Sequence, residues 1–263
     1  HTQDYPTNKD TRVTNFMAAT ITKTDPNTGA RMPKDYVLMV RTSAEFLNRV
    51  ISIAEIIIRD HFKPLRDRVF PPADMGGIAG GTKYIVDGIM FKFSFPSEDS
   101  PYMGSYELAQ KATGHDIRGA ISIFHAIEDV CKERDINLNV SLLSVIDHLG
   151  FRVEVMTILD LDKGSLKVGS GNACKSVPHG ALDDTEKPVN EDMCTIARRI
   201  GLAVHEVKVN GKKVQLGFGA DVEAHVDKHG IGRVLDTARV FPPEDYMTTT
   251  WKKVESVGRV LLP

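Results

Sequence analysis

The sequence predicts an α+β fold in which several antiparallel β-hairpins alternate with helices. Two observations carry that prediction. Alternating apolar runs flank turn signals at Asp87-Gly88, His148-Leu149-Gly150 and Asn210-Gly211. Between them lie stretches whose apolar residues recur at helical spacing, so hairpins and helices follow one another in a mixed order.

The elements can be justified in chain order. Residues 1–34 are polar and rich in Thr, Asn, Asp and Pro, and read as an irregular lead-in holding one strand around FMAATITKT. A single α+β region, 35–263, follows. It opens with RTSAEFLNRVISIAEIIIRDHF, where Thr42 precedes Glu45 at capping-box spacing and apolar residues cover most of the circumference, as in a well-buried helix. GGTKYIVDGIMFKFSF is a hairpin around Asp87-Gly88. GSYELAQKATG reads as a short helix closed by Gly114, and GAISIFHAIEDVCKERD as a second helix with basic residues near its end.

LNVSLLSVIDHLGFRVEVMTILDLD pairs two β-rich runs, and the Gly-, Ser- and Asp-rich stretch 164–189 marks a loop and a boundary between two lobes. NEDMCTIARRIGL is then a helix with Asn190 as N-cap and Gly201 as stop, and HEVKVNGKKVQLGF a third hairpin. No repeat at solenoid periods and no low-complexity tract interrupts this order.

Charge narrows the function classes. With 33 basic and 35 acidic residues, no global field of either sign advertises nucleic acid or an anionic membrane, so any basic patch is local. The three cysteines show neither CxxC spacing nor paired histidines, which argues against a disulfide framework and a structural zinc site and for a reducing, cytoplasmic setting. No apolar run reaches the length of a spanning helix, so no membrane insertion is expected, and the first residues have no signal-peptide core.

Four constellations could carry chemistry. GGIAGGTKY offers Gly80 and Gly81 as backbone donors to phosphate, followed by Lys92 in a strand and Glu107 in a helix; the plain alternative is a flexible lead-in with Lys92 on a solvent face. GHDIRG gathers His115, Asp116 and Arg118, an acid–base pair and an anion clamp, or else a turn histidine and an N-cap aspartate in a loop between helices.

GADVEAHVDKHG lines up Asp221, Glu223, His225 and Asp227, with His229 following. The row is either a cation-binding strand face or, more plainly, the solvent face of an antiparallel strand opposite Val222, Ala224 and Val226. Asp236 alternates with Val234 and Ala238 in RVLDTARVF and is expected to be a half-buried strand acid, with Arg239 or backbone groups as partner. Trp251, between threonines and lysines, is a core anchor or an RNA-stacking ring.

These stretches, taken together, resemble a family. GHDIRGAISIFHAIE, LNVSLLSVIDHLGFRVEVMTIL, KVGSGNACKSV and GADVEAHVDKHGIGRVLDTARVFPPE, in that order, are similar to the Clu domain of the clustered-mitochondria proteins, also described as a translation initiation factor 3 subunit. The ending HGIGRVLDTARVFPPE matches the family's GxDGRxYLLDxxRxFPP pattern at the glycine, Arg233, Leu235-Asp236, Arg239 and Phe241-Pro242-Pro243. The similarity covers roughly residues 75–246.

The resemblance implies a noncatalytic binding or scaffolding module without a cofactor, associated with mRNA or ribonucleoprotein, with other proteins and with mitochondrial distribution. A competing reading is an atypical kinase-like phosphotransferase using Mg-ATP, with Lys92 on the phosphates, Glu107 orienting it and Asp236 on the metal. A third is a pure protein-interaction domain.

Overall fold

A computed structural model describes residues 22–24, 31–33, 36–73, 82–95, 104–158, 161, 164–169, 186–209, 212–219, 221–228 and 230–241. The chain is α+β: the described residues form three helices together with mainly antiparallel sheets and hairpins. It divides into two compact units, the first from residues 1–76, 81–95 and 141–159, the second from 77–80, 96–140 and 160–263.

The first unit contains the short pair β1 (Thr22–Thr24) and β2 (Arg31–Pro33), a long helix α1 (Tyr36–Asp60) and a four-stranded antiparallel sheet. That sheet joins two hairpins, β3 (Thr82–Val86) with β4 (Ile89–Phe93) and β6 (Leu143–His148) with β7 (Phe151–Thr157), through pairing of β4 with β7. Both turns are built as the sequence predicts. Asp87 and Gly88 have φ of 54° and 75°, and Leu149 and Gly150 have 51° and 80°, the paired positive angles of a two-residue type I′ turn. Helix α1 buries Phe46, Val50, Ala54, Ile57 and Ile58 among Tyr84, Phe91, Phe93 and Val153 of the sheet. It starts at Tyr36 rather than Thr42, and Thr42 is a buried interior residue, not a cap.

The second unit opens with α2 (Tyr106–Val130), capped by Ser105, whose hydroxyl accepts from Leu108 N–H at 3.4 Å. This single helix replaces the two short ones expected on either side of Gly114. Its inward stripe, Ala109, Thr113, Asp116, Ala120, Ile123, Ile127 and Val130, keeps strict four-three spacing through the glycine, so packing outweighs the roughly 1 kcal/mol cost of a mid-helix glycine. GHDIRG is therefore helix, not loop.

The sheet of this unit runs β5 (Leu138–Val140), β12 (Gly232–Leu235), β11 (Glu223–Val226), β8 (Leu166–Val168), with β12 parallel to β5 and the other pairs antiparallel. Val140, Val234, Ala224 and Val168 are cross-strand partners on one face and belong to a core with Ile123 and Ile127 of α2 and Met193 and Ile196 of α3 (Glu186–Arg199). Helix α3 begins before Asn190, whose Nδ2 donates at 2.8 Å to the carbonyl of Gln215 instead of capping, and Gly201 follows its end with φ of 83°. Gln215 lies in the hairpin of β9 (His205–Val209) and β10 (Lys212–Leu216); its expected turn, Asn210-Gly211, lies outside the described residues. No helix among the described residues is long and apolar enough to cross a membrane.

Candidate functional site

The second face of the β5-β12-β11-β8 sheet is polar, yet it is covered. Alternation directs Ala224 and Val234 into the core, which leaves Glu223, His225 and Arg233 on the other side, with Asn139 beside Arg233 on β5. Exposure of these side chains decides their character: Glu223 is 8% exposed, Arg233 5%, Asn139 6%, and Asp227, at the end of β11, 9%. Of the expected solvent-facing row, Glu223 and Asp227 are buried and His225 is half-buried, while Asp221 lies ahead of the strand and is partly exposed; with Arg233 the first three form a polar cluster that persists because its members satisfy one another.

Asp227 closes the turn between β11 and β12. One carboxylate oxygen accepts the N–H of Ile231 at 3.0 Å, the other accepts from Arg233 Nε at 3.1 Å and lies 3.1 Å from Nη2, and the backbone exchanges bonds with Gly230 and Ile231. Burial draws the Arg233 guanidinium below its ordinary range, while the Asp227 charge and hydrogen bond act the other way. The Asp227 carboxylate at contact distance compensates the buried guanidinium charge.

His225 links two strands. Its Nε2 lies 3.0 Å from Glu223 Oε2 and its Nδ1 2.9 Å from the hydroxyl of Ser165, which immediately precedes β8. The serine hydroxyl can donate to or accept from Nδ1, so it suits the ring whichever nitrogen carries the proton. The order serine, histidine, carboxylate is that of a nucleophile relay, but the Ser165 residue is only 4% exposed, and its carbonyl also accepts the Val226 N–H at 2.7 Å. The trio acts as a polar clasp between β8 and β11, at the point where their register shifts.

Strand β12 ends at Leu235. Asp236 is not a buried strand acid: it adopts φ 55°, ψ 53°, is exposed, and stands at the head of a 3₁₀ turn over Thr237–Arg239. Its left-handed backbone breaks the alternation that would have placed it beside Val234. Arg239 is exposed and bonds Asp221 through Nε, tying the residues before β11 to the turn after β12.

The buried acid of this region is Asp116 of α2. Its Oδ1 accepts the Thr237 N–H at 2.8 Å, and the Thr237 hydroxyl sits 2.6 Å from both that oxygen and the Asp116 carbonyl. Helix and turn touch backbone to backbone, for a Cβ on Gly119 would lie 2.2 Å from the Thr237 carbonyl oxygen. Arg118, exposed on the same helix, stands 5.4 Å from the ring centroid of Phe241, and His115 is exposed one turn earlier.

The remaining candidates have separate surroundings. Lys92 lies in the first unit and is ion-paired at 3.2 Å with Glu154, its direct cross-strand partner on β7. Glu107 lies in the second unit, exposed on the first turn of α2, 2.9 Å from Lys111. Gly80, Gly81, His229 and Trp251 lie outside the described residues. Among the described residues, no three His, Cys, Asp or Glu side chains are grouped to hold a metal ion.

Ser165, Thr237 and Glu154 were not singled out by sequence, and Arg233 was named only as part of the family ending, not as a member of a site. Arg233 had a signal, since a hairpin turn that pairs residue 225 with 233 brings 227 and 233 to its mouth; the other three depend on contacts between distant segments.

Comparison with known proteins adds to this geometry. A family model described as clustered mitochondria matches residues 19–246. Neither a curated protein nor a solved structure matches the chain. The family match takes in both units, begins well ahead of the hairpin at Asp87 and runs past the LDTARVFPPE stretch, covering most of the sequence; the chain therefore belongs to the clustered-mitochondria family.

Proposed function

We propose that the chain is a noncatalytic Clu module of the cytoplasm that binds and scaffolds mRNA or ribonucleoprotein and takes part in the distribution of mitochondria. The family match over residues 19–246 carries this reading, and the family's name supplies the mitochondrial link. The site geometry supports it: Ser165, Glu223 and His225, Asp227 and Arg233, and Asp116 and Thr237 spend hydrogen-bonding capacity on their mutual partners inside the second unit, as framework polar groups do.

With a net charge of −2, RNA binding by this chain is modest and salt-sensitive. Electrophoretic shift with mixed RNAs at low salt tests the reading directly. A shift that fades between low and physiological salt is expected, and absence of binding below high micromolar concentration removes the RNA component. Thermal stabilisation by Mg-ATP, lost in Lys92→Ala and in Asp236→Ala, would instead favour a phosphotransferase.

A further inference from the structure

The end of α1 and the residues after it, RDHFKPLRDRVF from Arg59 to Phe70, form a surface in the first unit that neither the buried cluster nor the family motif involves. Its base is pinned. The Asp60 carboxylate accepts the Val69 N–H at 2.8 Å and binds Lys63 Nζ at 2.6 Å, while Arg68 donates to the carbonyls of His61 and Lys63 at 2.5 and 2.9 Å, satisfying acceptors that the helix end leaves open. Pro64 leads into a 3₁₀ turn, Leu65–Asp67, and the His61 ring packs against Phe93 and Phe95 at 4.5 and 4.7 Å.

On this base, three large apolar side chains face solvent: Phe62, Leu65 and Val69 are 60%, 65% and 62% exposed. Single exposed apolar residues are ordinary, but three within eight positions on one braced turn amount to a patch. Phe62 also touches Phe95 and Phe151, at 5.9 and 5.2 Å between ring centroids, so the patch continues the aromatic core outward.

Its charge is opposite to that of the chain as a whole. Arg59, Lys63, Arg66 and Arg68 stand against Asp60 and Asp67, and Asp60 is already engaged by Lys63 within the turn. Arg59 and Arg66 have side chains 59% and 87% exposed, with only loose ion pairs at 3.9 and 3.7 Å to Glu55 and Asp67. A ligand that suits this surface carries both apolar groups and negative charge.

We propose that the Phe62, Leu65 and Val69 surface docks an acidic segment of a partner protein, whose apolar side chains seat on these three residues and whose carboxylates pair with Arg59 and Arg66. Among anionic polymers a peptide fits better than RNA, because a base needs a flat ring to stack on and two of the three apolar residues are aliphatic. The braced turn lowers the ordering cost that such a contact would otherwise carry. The proposal stands apart from RNA binding by the chain.

Selection of a displayed library of random peptides against the full chain tests it. Peptides combining Asp or Glu with Leu, Ile or Phe are expected, and by fluorescence anisotropy their affinity should fall at least about tenfold in Phe62→Ser and in Arg59→Glu/Arg66→Glu, but not in Arg118→Glu. Circular dichroism checks that each variant is folded, and if Phe62→Ser is not, the exposed arginine pair carries the test. No enrichment, enrichment of basic peptides, or selected peptides indifferent to these substitutions overturns the proposal. So does an oligo-U RNA whose binding depends on Phe62 while no peptide is selected. Failure of RNA to bind the unsubstituted chain would count against the scaffold reading alone.

Discussion

Thr237 turns both its backbone N–H and its hydroxyl toward the carboxylate of Asp116, 121 residues earlier in the chain, at 2.8 and 2.6 Å. Both groups are buried, Asp116 at 8% and Thr237 at 2% exposure, so neither can fall back on water. Asp116→Ala should cost about 2–4 kcal/mol, since it strands two buried donors, and Thr237→Val about 1–2 kcal/mol. Urea denaturation of the two single variants and the double variant should show coupling, with the double loss smaller than the sum.

Gly119 gives a test whose sign runs against helix propensity. Alanine in the interior of a helix normally stabilises by roughly 0.5–1 kcal/mol over glycine. At this position the new methyl would meet the Thr237 carbonyl oxygen at 2.2 Å, so Gly119→Ala should destabilise, by about 1–3 kcal/mol in thermal or urea melts. A neutral or stabilising alanine would mean that helix and turn do not approach as described.

The Asp227 and Arg233 pair should behave as a buried ion pair does. Arg233→Met removes the guanidinium from a carboxylate held under 10% exposed and should cost about 3–5 kcal/mol. Adding Asp227→Asn, which keeps an oxygen for the Ile231 N–H but no charge, should restore part of that loss. Denaturant midpoints of the three proteins check it.

Leu149 sits at φ 51° and is 69% exposed, a leucine in backbone territory that suits asparagine. Leu149→Asn keeps the turn type and relieves the side-chain conflict. A gain of about 0.5–1 kcal/mol is expected.

His61 gives a pH dependence. Burial lowers its pKa below the ordinary 6.5, and the nearby Arg68 charge lowers it further. The folded chain therefore binds this proton less readily than the unfolded chain. Its contribution is fully present above pH 6.5 and is lost as the pH falls from there toward the lowered folded value. Thermal melts at pH 7.5 and just below pH 6 should separate the wild type more than they separate His61→Gln.

The hairpins were legible because local chemistry alone decides them: Asp87-Gly88 and Leu149-Gly150 supply paired positive backbone angles between alternating runs. The single course of α2 was also present in the four-three stripe, but an aspartate at position 116 stands where an apolar residue would have kept the stripe visible. Reading Gly114 as a helix stop and Asp116 as an N-cap split the helix and hid its contact with Thr237. On β11, alternation separated Glu223 and His225 from Ala224 correctly and missed that both faces are covered, because burial of a face is decided by what packs on it and not by the strand. Asp236 failed for a different reason, a single left-handed residue that ends the strand one position early.

The first unit takes its four-stranded sheet from two stretches of sequence, 82–93 and 143–157, with residues 96–140 of the second unit threaded between them. During synthesis, β3 and β4 emerge from the ribosome with β4's outer edge unpaired until β7 follows, about sixty residues later. That edge must stay protected from other strands in the interval. A truncation at any single point between them divides the sheet, so a shortened chain that retains α1, β3 and β4 should aggregate rather than fold, and the second unit, whose sheet needs β11 and β12, should mature only after the first has its β7.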